Sequence, residues 1–328
     1  MAAALLPQLI WTFFSIVLYV IGAVCLAFIP KRFRTKKNIS KQIVLVTGAG
    51  HGIGRALAHK FAQQGCIVVL WDINETWLED ARESLVLCRA TVHAYVCDVS
   101  DKDDVYRCAA LVQAEVGEVN ILVNNAGIVR AKYLLELPDE DILKVFRTNA
   151  FAHFWTLKAF LPYMMEVNHG HIVTVASVVG KGAGGQASEY ISSKFAAVGL
   201  HESMEMELRA LRRTGIHMTL VCPGLVRTGL FEGAEYRFPK LISTLDSEQL
   251  AHDIVEAVLM NEHTVYKPFI ANVAVRLKNI LPHKAFDTLT DFSGAATMLN
   301  NFRGHPLETT PTFVKSPPAN ATPTAKAS

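Results

Sequence analysis

Tyr190 and Lys194 are four positions apart in the segment SEYISSKFAAVGLHESMEMEL, and Ser177 lies thirteen positions before the tyrosine. We predict a helix over 188–212, in which side chains four positions apart share one face. A neighbouring ammonium group favours phenolate, so we expect Lys194 to lower the pKa of Tyr190. A tyrosine tuned in this way can give or take a proton near neutral pH. Alone, the Y-x-x-x-K spacing is equally typical of a solvated lysine on an amphipathic helix, and the serine and an upstream glycine loop favour catalysis.

The glycine loop follows a short apolar run, QIVLVT at 42–47, which is typical of a buried parallel strand. The next segment, RALAHKFAQQG, predicts a helix that ends near Gly65. Strand, glycine turn and helix are the context in which a backbone approaches a pyrophosphate and a helix N-terminus binds it. A glycine-rich turn that binds nothing is the alternative. The predicted dinucleotide-binding residues are Gly48, Gly50, His51, Gly52, Ile53 and Gly54.

The next predicted strand, CIVVLWD at 66–72, ends in Asp72, eighteen residues after Gly54. This is close to the spacing of roughly 20 residues expected for an acid that binds the cofactor ribose. A carboxylate there accepts hydrogen bonds from both ribose hydroxyls and repels a 2′-phosphate. The sequence therefore predicts NAD(H) over NADP(H), with NADP(H) as the alternative cofactor. A carboxylate that only caps the following turn is the structural alternative.

Two further predicted strands end in polar residues that would lie beside the cofactor. Asp98 ends the segment AYVCD, where it would meet the adenine edge, and a second group ends the strand ILVNNAG. Both could equally be polar strand ends with purely structural hydrogen bonds. The second group consists of Asn124, Asn125, Ala126 and Gly127.

Taken together, these motifs resemble the short-chain dehydrogenase/reductase family over about residues 42–265. The resemblance implies a single Rossmann-type α/β domain, with a doubly wound parallel sheet and helices on both faces. Three segments, HFWTLKAFLP, YRFPKL and FSGAATMLNNF, are similar to the membrane-bound retinol/retinal and 17-beta-hydroxysteroid dehydrogenase branch. The family motifs are TGAGHGIG at 47–54, CDVS at 97–100, NNAG at 124–127, Asn149, Ser177, Tyr190 with Lys194, and CPG at 222–224 followed by Thr228.

The resemblance implies a role for each catalytic residue. Tyr190, as phenolate, would take the hydroxyl proton while hydride passes to the nicotinamide. Lys194 would stabilise the phenolate and hydrogen-bond the nicotinamide ribose, and Ser177 would orient the substrate oxygen. Asn149, in a helix predicted over 140–164, would hold a water that links Lys194 to solvent.

Two of these implied roles have structural alternatives. Asn149 could be an ordinary buried asparagine bonded to a carbonyl group. Thr228 would hydrogen-bond the nicotinamide carboxamide, or else cap a helix. On this side of the cofactor the predicted contacts are Pro223, Gly224 and Thr228.

Length, charge and cysteine usage fit one enzyme domain and argue against other classes. The 328 residues accommodate a single α/β domain of about 250 residues with appendages. A net charge of +2 gives no indication of a nucleic-acid-binding face. The six cysteines form no C-x-x-C pair and no Cys/His ligand spacing, so we expect neither a disulfide framework nor a metal site.

Residues 5–29 contain no charged side chain and are long enough to cross a bilayer. The run lacks a basic segment before it and a small-residue cleavage site, so it predicts an uncleaved anchor. Five basic residues in 31–37 favour a cytoplasmic C-terminal side and contact with anionic head groups. We expect an endoplasmic reticulum anchor with a cytosol-facing enzyme, and a monotopic hairpin on a lipid droplet is the alternative. The predicted divisions are 1–30 anchor, 31–41 basic linker, 42–303 enzyme domain and 304–328 disordered tail.

The stretch 225–265 departs from strand–helix alternation and is rich in apolar side chains. These would line a pocket above the cofactor, or else form a helical lid on the core. Residues 270–285 are apolar with spaced basic side chains and would lie on the membrane or dock as a surface helix. The apolar residues are Leu225, Val226, Leu230, Phe231, Tyr236, Phe238 and Leu241, of which Leu230 and Phe231 are predicted to contact substrate with Ser177 and Tyr190.

An apolar pocket on a membrane-anchored enzyme suits a lipophilic alcohol or carbonyl compound that partitions into the bilayer. Retinol/retinal is the first expectation and a 17-hydroxy/keto steroid the second. The competing hypothesis is a weakly active membrane or lipid-droplet adaptor with the same fold, and the complete catalytic set argues against it. A homodimer is compatible with the family resemblance, although composition does not indicate one.

Overall fold

A seven-stranded parallel sheet forms the centre of the molecule in this computed structural model, which describes residues 2–30, 33–182, 184–240 and 242–304. The strand order is β3-β2-β1-β4-β5-β6-β7. The order reverses between β1 and β4, and ligands of such sheets bind at this switch point, beyond the carboxyl ends of the strands. The doubly wound prediction is confirmed. The strands are β1 (Ile43–Thr47), β2 (Ile67–Asp72), β3 (Val92–Val96), β4 (Ile121–Asn124), β5 (Gly170–Val175), β6 (Ile216–Pro223) and β7 (Thr264–Lys267).

Helices cover both faces of the sheet, which explains why the central strands are continuous apolar runs. Neighbouring side chains of a strand point to opposite faces. Val44 and Val46 of β1 therefore enter one core and Leu45 the other, and all three are fully buried. The first core is closed by α2 (Gly52–Gln63), α3 (Glu75–Leu87) and α8 (Ser247–Leu259), and the second by α4 (Lys102–Glu115), α6 (Ala152–Val167) and α7 (Ser188–Ala210).

Two predicted segments differ from the structure. The helix expected over 140–164 is α5 (Asp139–Phe146), a π-helical turn (Arg147–Phe151) and α6. The wider turn places the Asn149 side chain against the backbone of Ile128, a contact that local periodicity does not reveal. The stretch 225–265 is irregular only up to residue 246, since α8 and β7 follow in it; the Asp246 side chain caps α8.

The N-terminal helix, α1 (Ala2–Phe28), contains Leu5–Gly22, which by length and composition could cross a membrane. The linker after it is docked on the amino edge of the sheet. Arg34 pairs with Glu262 at 3.2 Å and Lys36 with Glu256 at 2.6 Å. Two of the five cations expected to attract lipid head groups, Arg34 and Lys36, thus have carboxylate partners in the enzyme domain, while Lys31 and Arg32 lie outside the described residues.

The chain after β7 forms α9 (Phe269–Ile280) and α10 (His283–Ser293), followed by consecutive turns as far as residue 301. The apolar stretch 270–285 is therefore helical with a break near Pro282, which precedes α10. The expected disordered tail, apart from Gly304, lies outside the described residues.

Candidate active site

Tyr190 and Lys194 lie on the buried face of α7, and Ser177 stands two residues beyond the end of β5. The Ser177 hydroxyl donates to the carbonyl of Pro223 at 3.3 Å and lies near enough to the Tyr190 phenol to lower its pKa. The Lys194 ammonium donates to the carbonyl of Val175 at 2.9 Å and lies 5.7 Å from the centre of the Tyr190 ring. The structure thus brings the three predicted side chains together at the carboxyl edge of the sheet.

The pKa values of these groups differ from the simple expectation. Burial raises the pKa of Tyr190, and the Ser177 hydrogen bond only partly opposes it. Burial also lowers the pKa of Lys194, to about 8. The expected lowering of the tyrosine pKa is wrong for the protein alone, because the cost of removing a phenolate from water exceeds the opposing effect of Ser177. Tyr190 therefore holds its proton at neutral pH, and Lys194 is the group closest to titrating there.

Asn149 is fully buried, and its amide is hydrogen-bonded on both sides. Its Oδ1 accepts from the Ile128 N–H at 2.8 Å, while its Nδ2 donates to the Ile128 carbonyl at 2.9 Å and to Ser193 Oγ at 3.0 Å. Ser193, which sequence reasoning missed, in turn donates to the Tyr190 carbonyl at 2.7 Å. These are the hydrogen bonds expected of an ordinary buried asparagine, the alternative to a catalytic role. They fix the loop after β4 against the catalytic helix.

Glycine is required where the loop after β1 turns into α2. Gly48 and Gly52 have φ of +64° and +57°, a region that favours glycine. A Cβ on Gly54 would lie 1.9 Å from the Gly48 carbonyl oxygen, so the helix could not approach the strand. A Cβ on Gly127 would stand 3.3 Å from Asn149 Oδ1, and 3.4 Å from the Lys194 ammonium. Without side chains at these glycines, the loops after β1 and β4 leave a cradle beside the catalytic lysine. This cradle fits a dinucleotide.

Asp72 is buried at the end of β2, and each of its carboxylate oxygens accepts a backbone hydrogen bond. One oxygen binds the Gly50 N–H and the other the Asn74 N–H, both at 2.9 Å. Burial raises the pKa of Asp72, and these backbone bonds oppose the shift. The carboxylate therefore both caps the following turn and ties the glycine loop to β2, which leaves its remaining lone pairs for a ribose.

Asn125 and Ala126, predicted to contact cofactor, hold the loop from the opposite side. The Asn125 amide donates to the carbonyls of Thr47 and Gly48 at 2.9 and 3.2 Å. The backbone N–H groups of Asn125 and Ala126 both donate to the Thr47 hydroxyl, at 3.0 and 3.1 Å. Thr47 belongs to the motif TGAGHGIG, but sequence reasoning assigned it no role of its own; its position at the strand end before the first glycine was the available signal.

The remaining predicted cofactor residues surround the same edge. The His51 ring lies 5.1 Å from the Trp77 ring, and Ile53 packs against the first core. Thr228 faces Gly52, where a Cβ would lie 3.0 Å from the threonine Cβ. Asp98 stands beyond β3 rather than ending it, and its carboxylate accepts from Ser100 N–H and Oγ at 2.9 and 2.7 Å. Pro223 ends β6, and the Gly224 N–H donates to the Lys267 carbonyl at 2.7 Å.

Only part of the predicted apolar pocket lies beside Tyr190. Phe231 meets the Tyr190 ring edge-on, with 5.3 Å between ring centres, and Leu230 belongs to the same cluster. Val226 is a core residue, and the Tyr236 hydroxyl accepts from the Leu225 N–H at 2.9 Å. These three residues support the loop. Phe238 packs on Phe292 instead, and Leu241 lies outside the described residues.

Three ligand-type side chains away from this site, Cys97, Asp104 and Cys108, have their ligand atoms within 4.8 Å of one another. Arg107 already donates to Asp104 at 2.8 Å and stands 3.2 Å from Cys108 Sγ. A guanidinium in this position repels a metal cation, so we assign no ligand to the cluster.

Comparison with known proteins decides the family. The sequence model described as short chain dehydrogenase matches residues 42–236, more than half of the chain. The chain belongs to the short-chain dehydrogenase family. As such, this dehydrogenase is an oxidoreductase that depends on a nicotinamide dinucleotide.

Named relatives extend beyond the matched region. The dehydrogenase is 43% identical over 280 residues to epidermal retinol dehydrogenase 2 of Mus musculus, covering 84% of this chain and 90% of the relative. It is 43% identical over 258 residues to 17-beta-hydroxysteroid dehydrogenase 13 of Homo sapiens, covering 79% and 84% of the two chains.

Solved structures share the fold and carry either cofactor. A short-chain dehydrogenase/reductase from Burkholderia phymatum in complex with NAD superposes with a TM-score of 0.68 at 27% identity, covering 74% of this chain and 95% of that one. A metagenomic short-chain oxidoreductase in complex with NADP gives a TM-score of 0.59 at 28% identity, covering 70% and 96%. Both chains are related closely enough to support a nicotinamide cofactor here, without distinguishing NAD from NADP.

Proposed function

We propose that this dehydrogenase interconverts a lipophilic alcohol and its carbonyl compound with NAD(H), with retinol/retinal as first substrate and a 17-hydroxy/keto steroid as second. The observation that carries the proposal is the apolar cluster against Tyr190, in which Phe231 lies edge-on to the catalytic ring. Such a wall favours an apolar body next to the reacting carbon. Relatives named for retinol and for 17-beta-hydroxysteroids support the same substrate class.

The chain's own residues supply the proton chemistry. In the reductive direction Tyr190, protonated at neutral pH, donates its phenolic proton to the substrate oxygen. Ser177 hydrogen-bonds the same oxygen and holds it at the phenol. Lys194 places its positive charge beside the phenolate that results and stabilises it. Bound NAD(H) supplies or accepts the hydride, and the glycine loop with Asp72 would hold it.

Asn149 keeps its predicted place in this proposal as a positioning residue. It connects the backbone after β4 with Ser193 on the catalytic helix. A water held there would pass protons between Lys194 and solvent. In the oxidative direction the same path removes the proton that Tyr190 takes from the alcohol.

Preference for NAD(H) rests on the Asp72 carboxylate, which is buried and bonded to the glycine loop. A 2′-phosphate beside it would place two negative charges together in a poorly solvated site. Replacing Asp72→Asn removes the charge at unchanged size, together with one of the two backbone bonds, because an amide nitrogen cannot accept from an N–H. We expect the ratio of kcat/KM for NADH to that for NADPH to fall by about tenfold, the equivalent of roughly 1.4 kcal/mol. A wild-type enzyme that prefers NADPH would contradict the proposal.

Anchoring by α1 with the domain facing the cytosol is part of the same proposal, with a lipid droplet surface as the alternative site. The chain has three N-x-S/T sites, Asn38, Asn74 and Asn320, which a cytosolic domain leaves unglycosylated. Asn74 also caps α3 by accepting from the Trp77 N–H at 3.0 Å. Glycosylation of Asn74 in cells would overturn this topology.

The deciding experiment measures NADH oxidation by the full-length protein in bilayer discs with all-trans-retinal or oestrone, and NAD⁺ reduction with retinol or oestradiol. NADP(H) is run in parallel, and Tyr190→Phe is the inactive control. Retinoid turnover supports the first substrate, and steroid turnover alone transfers the proposal to the second. Tight NADH binding without turnover of either class would favour the adaptor hypothesis and refute this one.

A further inference from the structure

Two cysteines away from the catalytic residues lie side by side next to an arginine. Cys97 follows β3 and Cys108 lies on α4, and both side chains are buried. Their sulfur atoms lie within 4.8 Å of each other and of an Asp104 carboxylate oxygen. The Arg107 guanidinium stands 3.2 Å from Cys108 Sγ, and the Arg107 side chain is 55% exposed. A partly exposed cation therefore contacts one thiol of the pair directly.

The two thiols differ in acidity, which gives them different chemical roles. The Cys97 thiol lowers the pKa of Cys108, burial opposes this shift, and the Arg107 guanidinium adds to the lowering. Cys108 and burial both raise the pKa of Cys97. Because the thiolate is the form of cysteine that attacks an oxidant, Cys108 is the attacking sulfur of the pair. Cys97 is then the thiol that reacts with the oxidised product.

A third buried cysteine shows how a single thiol differs from this pair. The Cys66 thiol donates to the Ile39 carbonyl at 3.2 Å, and burial raises the pKa of Cys66 to about 12. Cys66 therefore remains a protonated thiol at neutral pH and reacts slowly with oxidants. It provides a matched control, since it is as buried as the pair.

Backbone contacts connect the pair with the two acids that are expected to bind the cofactor. The Cys97 N–H donates to the Asp72 carbonyl at 2.9 Å, and the Asp98 N–H donates to the Asp104 carboxylate at 2.7 Å. A covalent bond between the sulfurs requires them to come closer than any non-bonded contact, so its formation draws Cys97 towards α4. Both backbone contacts must then shift, and with them the adenosine half of the cofactor site.

We propose that Cys97 and Cys108 form a reversible disulfide that weakens NAD(H) binding. The oxidant is hydrogen peroxide, and the reaction proceeds through a sulfenic acid on Cys108. The inference rests on the proposed function, since it takes Asp72 and Asp98 as contacts of the bound cofactor. It adds a site of covalent modification that controls the occupancy of the cofactor site.

The proposed oxidation has two steps. The Cys108 thiolate attacks one peroxide oxygen, so that an S–O bond forms while the O–O bond breaks and hydroxide leaves. The Cys97 sulfur then attacks the Cys108 sulfur, so that the S–S bond forms while the S–O bond breaks and a second hydroxide leaves. Each hydroxide takes up one thiol proton. Two thiols are thus oxidised, one peroxide is reduced to two waters, and a dithiol reductant reverses the change.

The first experiment detects the disulfide in the full-length protein in bilayer discs, with the two exposed cysteines removed by Cys25→Ser and Cys88→Ser. The folded protein is treated with hydrogen peroxide, and catalase, alkylation and trypsin follow. Trypsin cleaves between the two cysteines of the pair, which leave in the peptides 90–102 and 108–130. We expect mass spectrometry to find these peptides joined after peroxide and separate again after dithiothreitol.

Three variants assign the roles within the pair. Arg107→Gln removes the cation beside Cys108, and we expect the disulfide to form about threefold more slowly, because the smaller thiolate fraction is partly offset by a more nucleophilic sulfur. Cys108→Ser should abolish the joined peptides. Cys66→Ser, the matched control, should leave the rate of joining unchanged.

The second experiment measures the consequence by titrating NADH fluorescence before and after oxidation. We expect oxidation to raise the Kd of NADH about tenfold, the size of one lost hydrogen bond to a charged group, and dithiothreitol to restore it. Thermodynamic linkage then requires saturating NADH to oppose the disulfide by the same factor. In glutathione buffers, saturating NADH should therefore raise the midpoint potential of the pair by about 30 mV.

Three results would overturn the inference while leaving the proposed function intact. These are separate peptides after peroxide, an unchanged Kd of NADH once the disulfide is complete, or a loss of NADH affinity that persists in Cys108→Ser. Failure of the proposed function looks different, because wild type would then turn over neither retinoid nor steroid. Peptide mass and cofactor affinity are both measured without substrate, so that failure does not imitate any of the three results.

Discussion

The two edges of the sheet each contain a lysine whose pKa burial lowers, and only one of these lysines adjoins a tyrosine. At the carboxyl edge, Lys194 donates to a backbone carbonyl and stands beside the Tyr190 ring. At the amino edge, the Lys37 ammonium lies 2.7 Å from His171 Nδ1, and His171 Nε2 lies 2.8 Å from the Thr219 hydroxyl. Burial lowers the pKa of each lysine to about 8.

The comparison shows that a shifted pKa does not by itself identify a catalytic group. Burial produces the same shift at both edges, since it penalises the charged form wherever an ammonium leaves water. The difference is what surrounds each lysine. Lys194 faces Gly127 in the loop after β4 and a second titratable group, Tyr190, whereas Lys37 fastens the linker to the domain. The neighbours of a lysine therefore decide whether it is catalytic. This can be tested by making the same substitution at a residue in the site and at a matched residue outside it.

The largest expected effect concerns the tyrosine. Tyr190→Phe removes the phenolic proton, and we expect kcat/KM to fall by at least ~10²-fold, the loss typical of a positioned acid or base. Steady-state kinetics with retinal and NADH measure it. Tyr236→Phe is the matched control, because Tyr236 is also mostly buried, burial raises its pKa as well, and its hydroxyl only accepts from Leu225 N–H. Near-normal turnover by Tyr190→Phe would show that Tyr190 is not the proton donor.

The lysines are distinguished by substituting each with methionine, which keeps the stem and removes the charge. We expect Lys194→Met to lower kcat about tenfold or more, because the phenolate loses its positive neighbour. Lys37→Met should leave kcat within about twofold of wild type. Parallel thermal unfolding checks that both variants remain folded. Equal kinetic losses in the two variants would mean that the linker contact, too, affects catalysis.

Much of this arrangement was predictable from sequence, because the signals are local. The strand before the glycines, the acid at the end of β2 and the four-residue spacing of Tyr190 and Lys194 each lie within one element or its end. Parallel strands then bring their carboxyl ends to one edge, which assembles the site without further information. The family motifs placed Ser177 and Asn149 at the same edge.

The parts that sequence reasoning missed depend on contacts between distant segments. The Thr47 hydroxyl binds the backbone after β4, and Ser193 binds Asn149. Burial decided the direction of the Tyr190 pKa, opposed only by Ser177, and spacing carries no information on burial. In the linker, Lys36 and Arg34 bind Glu256 and Glu262, which are more than two hundred positions away in sequence. Each of these contacts requires the folded chain to be known.

The smallest expected effect concerns stability and sharpens the comparison of the two lysines. Each has a folded pKa of about 8 against an ordinary value of 10.5. Between these values the unfolded chain binds more protons, so each lysine makes unfolding free energy rise with pH from about 8 towards 10. Below about 8 both states carry the charge, and the burial penalty applies in full.

Lys194→Met removes this titration, so its Tm should exceed that of wild type most at pH 7.5 and least at pH 9.5. The change should be on the order of a few °C, since 1 kcal/mol shifts Tm by roughly 2–4 °C in a domain of this size. Lys37→Met should show a weaker trend, because Lys37 is only half-buried and its loss leaves His171 Nδ1 without its hydrogen bond to the ammonium. Lys240→Met, at an exposed position, controls for the substitution itself. A Tm difference for Lys194→Met that stays constant across this pH range would contradict the prediction. Burial would then not be the shared cause of the lowered pKa values of Lys194 and Lys37.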